Sequence, residues 1–562
     1  MIYRWNSFPK LDDLKIRNLS ESINVSPKIA SLLLQRGVET FDEARKFFRP
    51  KLEDLHDPFL MKDMDKAVER LRKAVDSNEK IMIYGDYDVD GTTSVATVFS
   101  FFRNIIKDID FYIPDRYKEG YGVSKIGIDF AHEHGFNLIV ALDCGTRSVE
   151  LVKYAKSLGI DFIICDHHLP GSELPDAVAL LNPKRADCEY PYKELSGCGI
   201  GFKLIQGYAQ ANDIPFEETT KYLDLVAVST CSDIVEMKGE NRVMVYFGLI
   251  KLNEDPCIGL QALLQSYQMR EKYEVTDIVF GIGPRINAAG RIADAKASVR
   301  LLIEENFHKA MEFSKLLNEN NAERKDLDFD ITKEALEILT LSPELQAKRS
   351  TVLYGKTWHK GVIGIVASRL IENYYRPTII FSEVNGMLTG SARSIKDFDI
   401  HEAIGACGDL VVQFGGHKYA AGLTIKTEDF EAFAAKFEQV VTDNVKEENF
   451  TPEILYDLEL DFSDIDKKFY VLIEQFKPHG PGNMSPVFRT SNILGCNSKV
   501  VKEKHLKLSA VHSGVKLDGI GFGLSDYHKV ITEKESIDLC YSIEMNDYNG
   551  NKSLQLRLKD VR

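Results

Sequence analysis

The sequence predicts an α/β multidomain protein: a parallel-sheet domain, a long connecting helix, a smaller α/β domain and a C-terminal β-barrel. Three observations carry that prediction. Between residues 80 and 181, short and almost wholly apolar runs alternate with amphipathic stretches, the pattern of a parallel sheet covered on both faces. Residues 301–342 contain neither glycine nor proline. From about 451 to the end, alternating apolar residues are punctuated by turn signals such as Asn549-Gly550. At 562 residues the chain exceeds what one core normally supports, so three or four domains are expected.

Residues 1–60 alternate polar helical stretches with short apolar faces (Ile29, Leu32, Leu33, then Ala44, Phe47, Phe48) and read as a helical cap. Residues 61–300 hold the parallel sheet, with strands expected at Lys80–Tyr84, Ile109–Ile113, Leu138–Leu142, Asp161–Cys165 and Ala179–Leu181. In 301–342, Phe313, Leu317, Leu327, Ile331 and Ala335 keep near-helical spacing, and Pro343 stops the helix. The second α/β domain, 343–450, opens with a strand at Thr351–Tyr354, and the barrel occupies 451–562.

Composition narrows the function classes. A chain 44% hydrophobic and 28% charged folds rather than staying disordered. Nine scattered cysteines with no CxxC pair exclude a disulfide framework and a zinc site, and imply reduced thiols. No run of about 18 apolar residues and no signal-peptide core is present, so a cytoplasmic protein without membrane contact is expected. No heptad seam suggests a coiled-coil dimer, and a monomer is expected. The net charge of −15 argues at first against nucleic acid, but carboxylates in a metal site contribute to that sum and are neutralised by their ions.

Acidic residues and histidines gather in four clusters, mostly at strand ends: Asp86, Asp88 and Asp90; Asp143; Asp166-His167-His168; and Asp233. In open α/β sheets, ligands bind beyond the carboxyl ends of the strands. Alternate residues of extended backbone point the same way, so Asp86, Asp88 and Asp90 converge, and such like charges need something positive among them. Hard oxygen ligands with one or two imidazoles suit a pair of divalent cations, Mn2+ favoured and Mg2+ acceptable. Metal-assisted phosphoryl chemistry follows as the leading reading.

Gly85-Asp-Tyr-Asp-Val-Asp-Gly-Thr-Thr-Ser94, Asp143-Cys-Gly145, Asp166-His167-His168 and Asp233 resemble, in order and spacing, the four motifs of the DHH phosphoesterases, and most closely the RecJ family of bacterial single-strand-specific exonucleases. Pro114-Asp-Arg-Tyr-Lys-Glu-Gly-Tyr-Gly122, Gly283-Pro-Arg-Ile-Asn-Ala-Ala-Gly-Arg291, Gly390-Ser-Ala-Arg-Ser394, Gly415-Gly-His-Lys-Tyr-Ala-Ala-Gly422 and Gly480-Pro-Gly-Asn483 are similar to further segments of that family. The resemblance implies a DHH domain, a DHHA1 domain and an OB-type barrel for the three large pieces. It implies that Asp88 and Asp143 hold one ion, and that Asp90, Asp143, His167 and Asp233 hold the other. Asp86 and Asp166 stand either as ligands or as groups that orient ligands. A lone aspartate at a strand end is more often a helix N-cap; the full set in this order is not explained that way. Many superfamily members place a ligating histidine just before the first motif, where this chain has Tyr84. A phenol is the poorer ligand, which shifts weight to Asp86 and predicts weaker binding of one ion.

His168 is the candidate for contacting the scissile phosphate or protonating the leaving oxygen, with Asp143 and Asp166 completing the catalytic set. Arg285, Arg291, Ser391 and Arg393 lie in small-residue segments suited to a terminal phosphate. Arg116, between tyrosines, suits tracking of a strand, and His417 a phosphate or sugar. Lys499, Lys502, Lys504, His505, Lys507 and Lys516 form a basic strip on the expected barrel, a footprint for single-stranded DNA, although a lysine run is more often a solvated face. The function implied by the resemblance is 5′-to-3′ exonucleolytic removal of 5′-mononucleotides from single-stranded DNA, in repair and recombination. A single-strand-binding protein and a helicase stand as candidate partners. Two alternatives compete: a phosphodiesterase of short oligoribonucleotides, against which residues 451–562 argue, and an inactive DNA-binding scaffold, against which the near-complete ligand set argues.

Overall fold

Five strands, all parallel, form the sheet that the apolar runs predict, in the spatial order Ile109–Tyr112, Ile81–Gly85, Leu138–Leu142, Asp161–Cys165, Ala179–Leu181. Alternation along the strands feeds two cores. Ile81, Ile83, Leu138, Val140 and Ile163 join one face, and Met82, Tyr84, Ile139, Ala141 and Ile164 the other. Each of the isoleucine, leucine, valine and methionine side chains contributes about 1.5–3 kcal/mol by burial, which is why both faces must be covered by helices. The computed structural model describes residues 2–268, 270–384, 386–548 and 550–562.

The chain divides into two compact units. One holds the first residues up to Asn6 with Asn320–Leu455; the other holds Ser7–Glu319 with Tyr456–Arg562. The boundary falls inside the helix Phe307–Leu341, which starts later than the glycine-free stretch suggests. A separate helix, Lys296–Ile303, ends where Glu304 turns extended, and Glu304 and Asn306 side chains bond the amides of the next turn. Both are polar residues that compete with helical hydrogen bonds.

In the smaller unit the sheet order is Gln413–His417, Ala420–Lys426, Met387–Arg393, Thr378–Val384, Thr351–Gly355. Only the last pair is parallel; the remaining pairs are antiparallel, so this α/β domain is mixed. The C-terminal segment forms a seven-stranded sheet, mostly antiparallel, with Val515–Gly521 and Asn551–Val561 paired in parallel. Its last hairpin joins Ile537–Tyr548 to Asn551–Val561. Gly550 there takes φ +80°, while Asn549, half of the turn signal, lies outside the described residues.

The first sixty residues are not helical throughout. Arg4–Ser7 is a strand paired with Glu453–Tyr456, and the helices Asp13–Ile23, Pro27–Gln35 and Phe41–Phe48 follow. These helices share one core with the C-terminal sheet: Leu19, Ile29, Leu33 and Phe47 pack with Phe462, Phe476, Phe488, Leu506 and Leu539. Two buried arginines lock the junction. Arg36 donates to Asn483 Oδ1 (2.9 Å), the Leu32 and Met484 carbonyls (2.8 Å each) and Asp457 Oδ1 (3.2 Å). Arg242, from the helix Gly239–Glu254, donates to the carbonyls of Phe47, Gln475, Phe476, Lys477 and Pro478 at 2.8–3.2 Å.

Beside this lock, burial holds the His479 imidazole down at about 4. Between about 6.5 and 4 the unfolded chain therefore takes up a proton that the folded chain refuses. Stability is complete above that window and falls by up to about 3 kcal/mol as pH drops through it. In urea denaturation, His479→Gln is expected to lose less stability than the wild type between pH 7 and 4.5; equal losses would remove His479 as a source of acid sensitivity. Among the described residues, no helix is long and apolar enough to cross a membrane.

Candidate metal centre

At the carboxyl ends of the three central strands the chain reverses into loops or helix starts, and each reversal delivers a carboxylate or an imidazole. Asp86 follows Ile81–Gly85 and is fully buried. Asp88 is the N-cap of the helix Val89–Phe102, accepting from Gly91 N–H at 3.0 Å. The bland reading of a lone aspartate thus holds for one of its oxygens. Asp90 lies in the first turn, and its carboxylate accepts from Gly197 N–H (2.6 Å), Cys198 N–H (2.8 Å) and Ser229 Oγ (2.6 Å). The first two amides open the helix Gly197–Ala211, so a helix N-terminus fixes this carboxylate.

Close approach dictates glycine at two positions. A Cβ on Gly91 would come within 2.4 Å of the Asp86 carbonyl oxygen, and one on Gly197 within 2.6 Å of the Asp143 Cβ. Asp143, just past Leu138–Leu142, takes φ +59°, a left-handed conformation that aspartate tolerates better than most residues. Its N–H donates to the Cys165 carbonyl (2.9 Å), tying the ends of two strands together.

His167 is the hub. Its Nε2 lies 3.2 Å from Asp143 Oδ1, 3.5 Å from Asp233 Oδ2 and 3.8 Å from Asp90 Oδ2. Asp233 caps the carboxyl end of Leu223–Ser232, on an element outside the sheet. Ligand atoms of Asp143, His167 and His168, and again of Asp90, His167 and Asp233, lie within 4.8 Å of one another. Asp166 accepts from Thr146 N–H (2.8 Å) on one oxygen and bonds His168 Nδ1 (2.7 Å) and N–H (3.1 Å) with the other. Both its oxygens are occupied, so it orients His168 rather than facing the hub.

The electrostatics separate these groups. Burial, then the charge of neighbouring aspartates, pushes Asp86, Asp143 and Asp233 well above the carboxylate range; burial and Asp90 raise Asp88 too. Burial would also raise Asp166, but the hydrogen bond and charge of His168 outweigh it and hold Asp166 well below the usual range. Burial opposes protonation of His168, yet Asp166 wins and raises it, whereas burial lowers His167. His167 is therefore the neutral imidazole, fit to donate a lone pair, and His168 the one suited to carry a proton. Asp86 Oδ2, Asp143 Oδ1, Asp233 Oδ2 and His167 Nδ1 are buried without a hydrogen-bond partner. Orphaned carboxylate oxygens that repel one another at a neutral imidazole fit divalent cations, which supply the missing charge and invert the local pKa logic.

Tyr84 does not face this cluster. Its hydroxyl donates to the Gly122 carbonyl (2.9 Å), its ring stacks on Tyr112 (5.3 Å, 22°), and burial raises its pKa so that it stays neutral. Arg116 stands 4.7 Å over the Tyr87 ring and tempers the charge of Asp86 and Asp88. Arg285 donates to Asn318 Oδ1 (2.6 Å) and the Gly281 carbonyl (2.7 Å), with Tyr267 beneath it at 4.6 Å. The Arg291 carbonyl accepts from the Tyr117 hydroxyl. Ser391, Arg393 and His417 belong to the smaller unit, where Arg393 donates to Ser391 Oγ (3.1 Å) and the Ala392 carbonyl (2.8 Å), and His417 is exposed on Gln413–His417.

Sequence reasoning missed Gly197, Cys198, Ser229 and Thr146, which hold the carboxylates from behind. The run Ser196-Gly-Cys-Gly-Ile-Gly201, rich in glycine at a helix start, was the readable signal for the first two; Thr146 and Ser229 carry none.

Family models match along the chain: the DHH family, N-terminal domain, at residues 80–230; the DHHA1 domain at 348–443; and the RecJ OB domain at 456–560. The chain is 36% identical to the single-stranded-DNA-specific exonuclease RecJ of Bacillus subtilis, covering 99% of this chain and 70% of that protein. It is 32% identical to its Escherichia coli counterpart over 98% of both. A crystal structure of RecJ with Mn2+ from Thermus thermophilus matches all of the chain and 79% of its own at a TM-score of 0.86 and 24% identity, which speaks for the fold. A structure of exonuclease RecJ bound to manganese, 30% identical, matches 70% of the chain and 96% of its own at a TM-score of 0.61.

Proposed function

The chain belongs to the RecJ family of single-stranded-DNA-specific exonucleases, and from that membership we propose that it removes 5′-mononucleotides from the 5′ end of single-stranded DNA by hydrolysis assisted by two divalent cations. The observation that carries the reading is the convergence of orphaned, mutually repelling carboxylate oxygens on the neutral imidazole of His167. The manganese in the related exonuclease supports Mn2+ as the metal, with Mg2+ as the alternative.

Asp88 and Asp143, with Asp86, would hold one ion; Asp90, Asp143, His167 and Asp233 would hold the other. Asp90 Oδ2 accepts from Gly197 N–H and keeps a lone pair for this. When bound, the ions lower the pKa of a water and neutralise charge on the phosphate oxygens. His168, held by Asp166 through Nδ1 and with its Nε2 3.0 Å from the Tyr121 hydroxyl, would turn that nitrogen to the leaving oxygen or a phosphate oxygen, and its raised pKa favours the protonated ring. Asp166 is the positioning residue for that ring. Arg116, Arg285 and Arg291, with Ser391, Arg393 and His417 of the smaller unit, are the proposed contacts to the DNA backbone.

The test uses single-stranded DNA labelled at either end, with Mn2+, beside a duplex and a short oligoribonucleotide. Early release of 5′-labelled mononucleotide from the long single strand, with the duplex intact, supports the proposal. Cleavage of the short RNA alone, or binding without cleavage, refutes it.

The C-terminal sheet is proposed to grip the strand. Lys499, Lys502, Lys504, Lys507 and Lys516 are exposed, and Lys499 and Lys507 face each other directly across Gly495–Val501 and His505–His512. Like charges in direct register repel, and a polyanion relieves them. Replacing Lys502, Lys504 and Lys507 by alanine is expected to weaken binding of long strands severalfold and to flatten its salt dependence, sparing very short substrates. Filter binding at several salt concentrations checks this, and equal losses at both lengths would make the sheet structural only.

A further inference from the structure

Tyr84 lies in the strand Ile81–Gly85, two residues before Asp86, yet its side chain engages a loop instead of the hub. The hydroxyl donates to the Gly122 carbonyl (2.9 Å) and accepts from Ser124 N–H (3.2 Å). The same loop is held from its other end by Glu119, which accepts from Asp115 N–H (2.8 Å), the Tyr112 hydroxyl (3.0 Å) and Ser124 Oγ. Tyr112 is the ring on which Tyr84 stacks, so two neighbouring phenols fasten the two ends of one short segment.

What the segment carries reaches the metal centre. Gly122 N–H donates to Asp86 Oδ1 at 3.2 Å, leaving Oδ2 as the orphaned oxygen. Tyr121 donates to the Asp143 carbonyl (3.1 Å), and its hydroxyl lies 3.0 Å from His168 Nε2. Gly120 (φ +86°) and Gly122 (φ +80°) flank Tyr121 with backbone that other residues adopt only under strain, so the loop needs outside fastening to hold one shape.

We propose that Tyr84 is a positioning residue for the metal centre: its hydroxyl fastens the 119–124 loop so that Gly122 aligns the Asp86 carboxylate and Tyr121 stands against His168. The inference rests on the metal reading above. The tyrosine acts on the metal centre from one residue away, through the main-chain amide of Gly122.

Tyr84→Phe keeps the ring and its stacking and removes only the fastening. With the full-length protein, Mn2+ binding by titration calorimetry is expected to weaken about 10–100-fold, as losses of groups that orient ligands do. The rate constant kcat at fixed Mn2+ should fall while KM for single-stranded DNA stays put, and raising Mn2+ should restore most of the rate. A merely structural tyrosine would lower thermal stability without moving Mn2+ affinity. Should Tyr84→Phe fail to fold, Glu119→Gln releases the loop from its other end and is expected to shift Mn2+ affinity the same way. Wild-type Mn2+ affinity in either folded variant overturns the inference and leaves the metal reading intact. Failure of the wild type itself to bind Mn2+ overturns both.

Discussion

Asp143→Asn is expected to abolish DNA hydrolysis and, in the same protein, to raise the stability of the metal-free form. Asparagine tolerates the left-handed backbone at this position, keeps the N–H bond to Cys165 and nearly matches the shape of the side chain. What it removes is charge. Of the carboxylate oxygens of Asp90, Asp143 and Asp233, Asp143 Oδ1 lies nearest His167 Nε2 at 3.2 Å, and Asp143 would help to hold both ions, so both would lose a ligand at once. Loss of several kcal/mol of transition-state stabilisation corresponds to about 10³-fold or more in rate. Without metal the sign reverses, because Asp143 is buried among Asp86, Asp88, Asp90 and Asp233, whose repulsion destabilises the ionised cluster. Relieving it is expected to stabilise the apo protein by about 1–2 kcal/mol. Melting curves with and without Mn2+ check both halves. Added Mn2+ should raise the wild-type melting temperature and leave the variant nearly unmoved. Hydrolysis near the wild-type rate by Asp143→Asn would end the two-ion assignment.

Arg242→Ala is expected to be the most destabilising single change outside the sheet core. The guanidinium makes six hydrogen bonds to five carbonyl oxygens, over the Phe47 ring at 4.0 Å. These carbonyls lie at the carboxyl ends of Phe41–Phe48 and Lys467–Glu474, so the partial negative ends of two helices converge on one cation. Burial lowers its pKa to about 9, still protonated at neutral pH. Removing it leaves buried carbonyls without donors and a cavity beside Phe47, a loss of about 3–5 kcal/mol. Arg242→Lys should rescue little, since an ammonium cannot span five acceptors with three donors. Urea denaturation, with limited proteolysis of the first sixty residues as a local probe, measures it. A loss under about 1 kcal/mol would show that the shared apolar core alone holds the junction.

The parallel sheet was legible because its strands are buried on both faces and therefore read as unbroken apolar runs. The hub was legible because Asp143 and Asp166-His167-His168 fall directly after such runs, where α/β sheets place ligands. The division of labour within the hub was not. That Asp90 would rest on the amides of Gly197 and Cys198, while Asp166 would turn away to His168, depends on a helix start about a hundred residues from Asp90. Tyr84 was legible as a departure but not as a fastener, since its partners Gly122 and Ser124 are main-chain atoms that any sequence would supply. Arg242 sits in a mixed helix where an arginine ordinarily faces water; only the tertiary fold brings two helix ends to it.

The shared core of the first helices and the last sheet also sets an order of events at the ribosome. Leu19, Leu33 and Phe47 emerge about 400 residues before Phe462 and Phe488, the side chains that cover them. At roughly 5–20 residues per second, the nascent amino-terminal segment waits roughly 20–80 s with an apolar face open. During translation that face is a natural client for chaperones. A message truncated upstream of the C-terminal sheet would release a chain whose beginning has no partner to fold against.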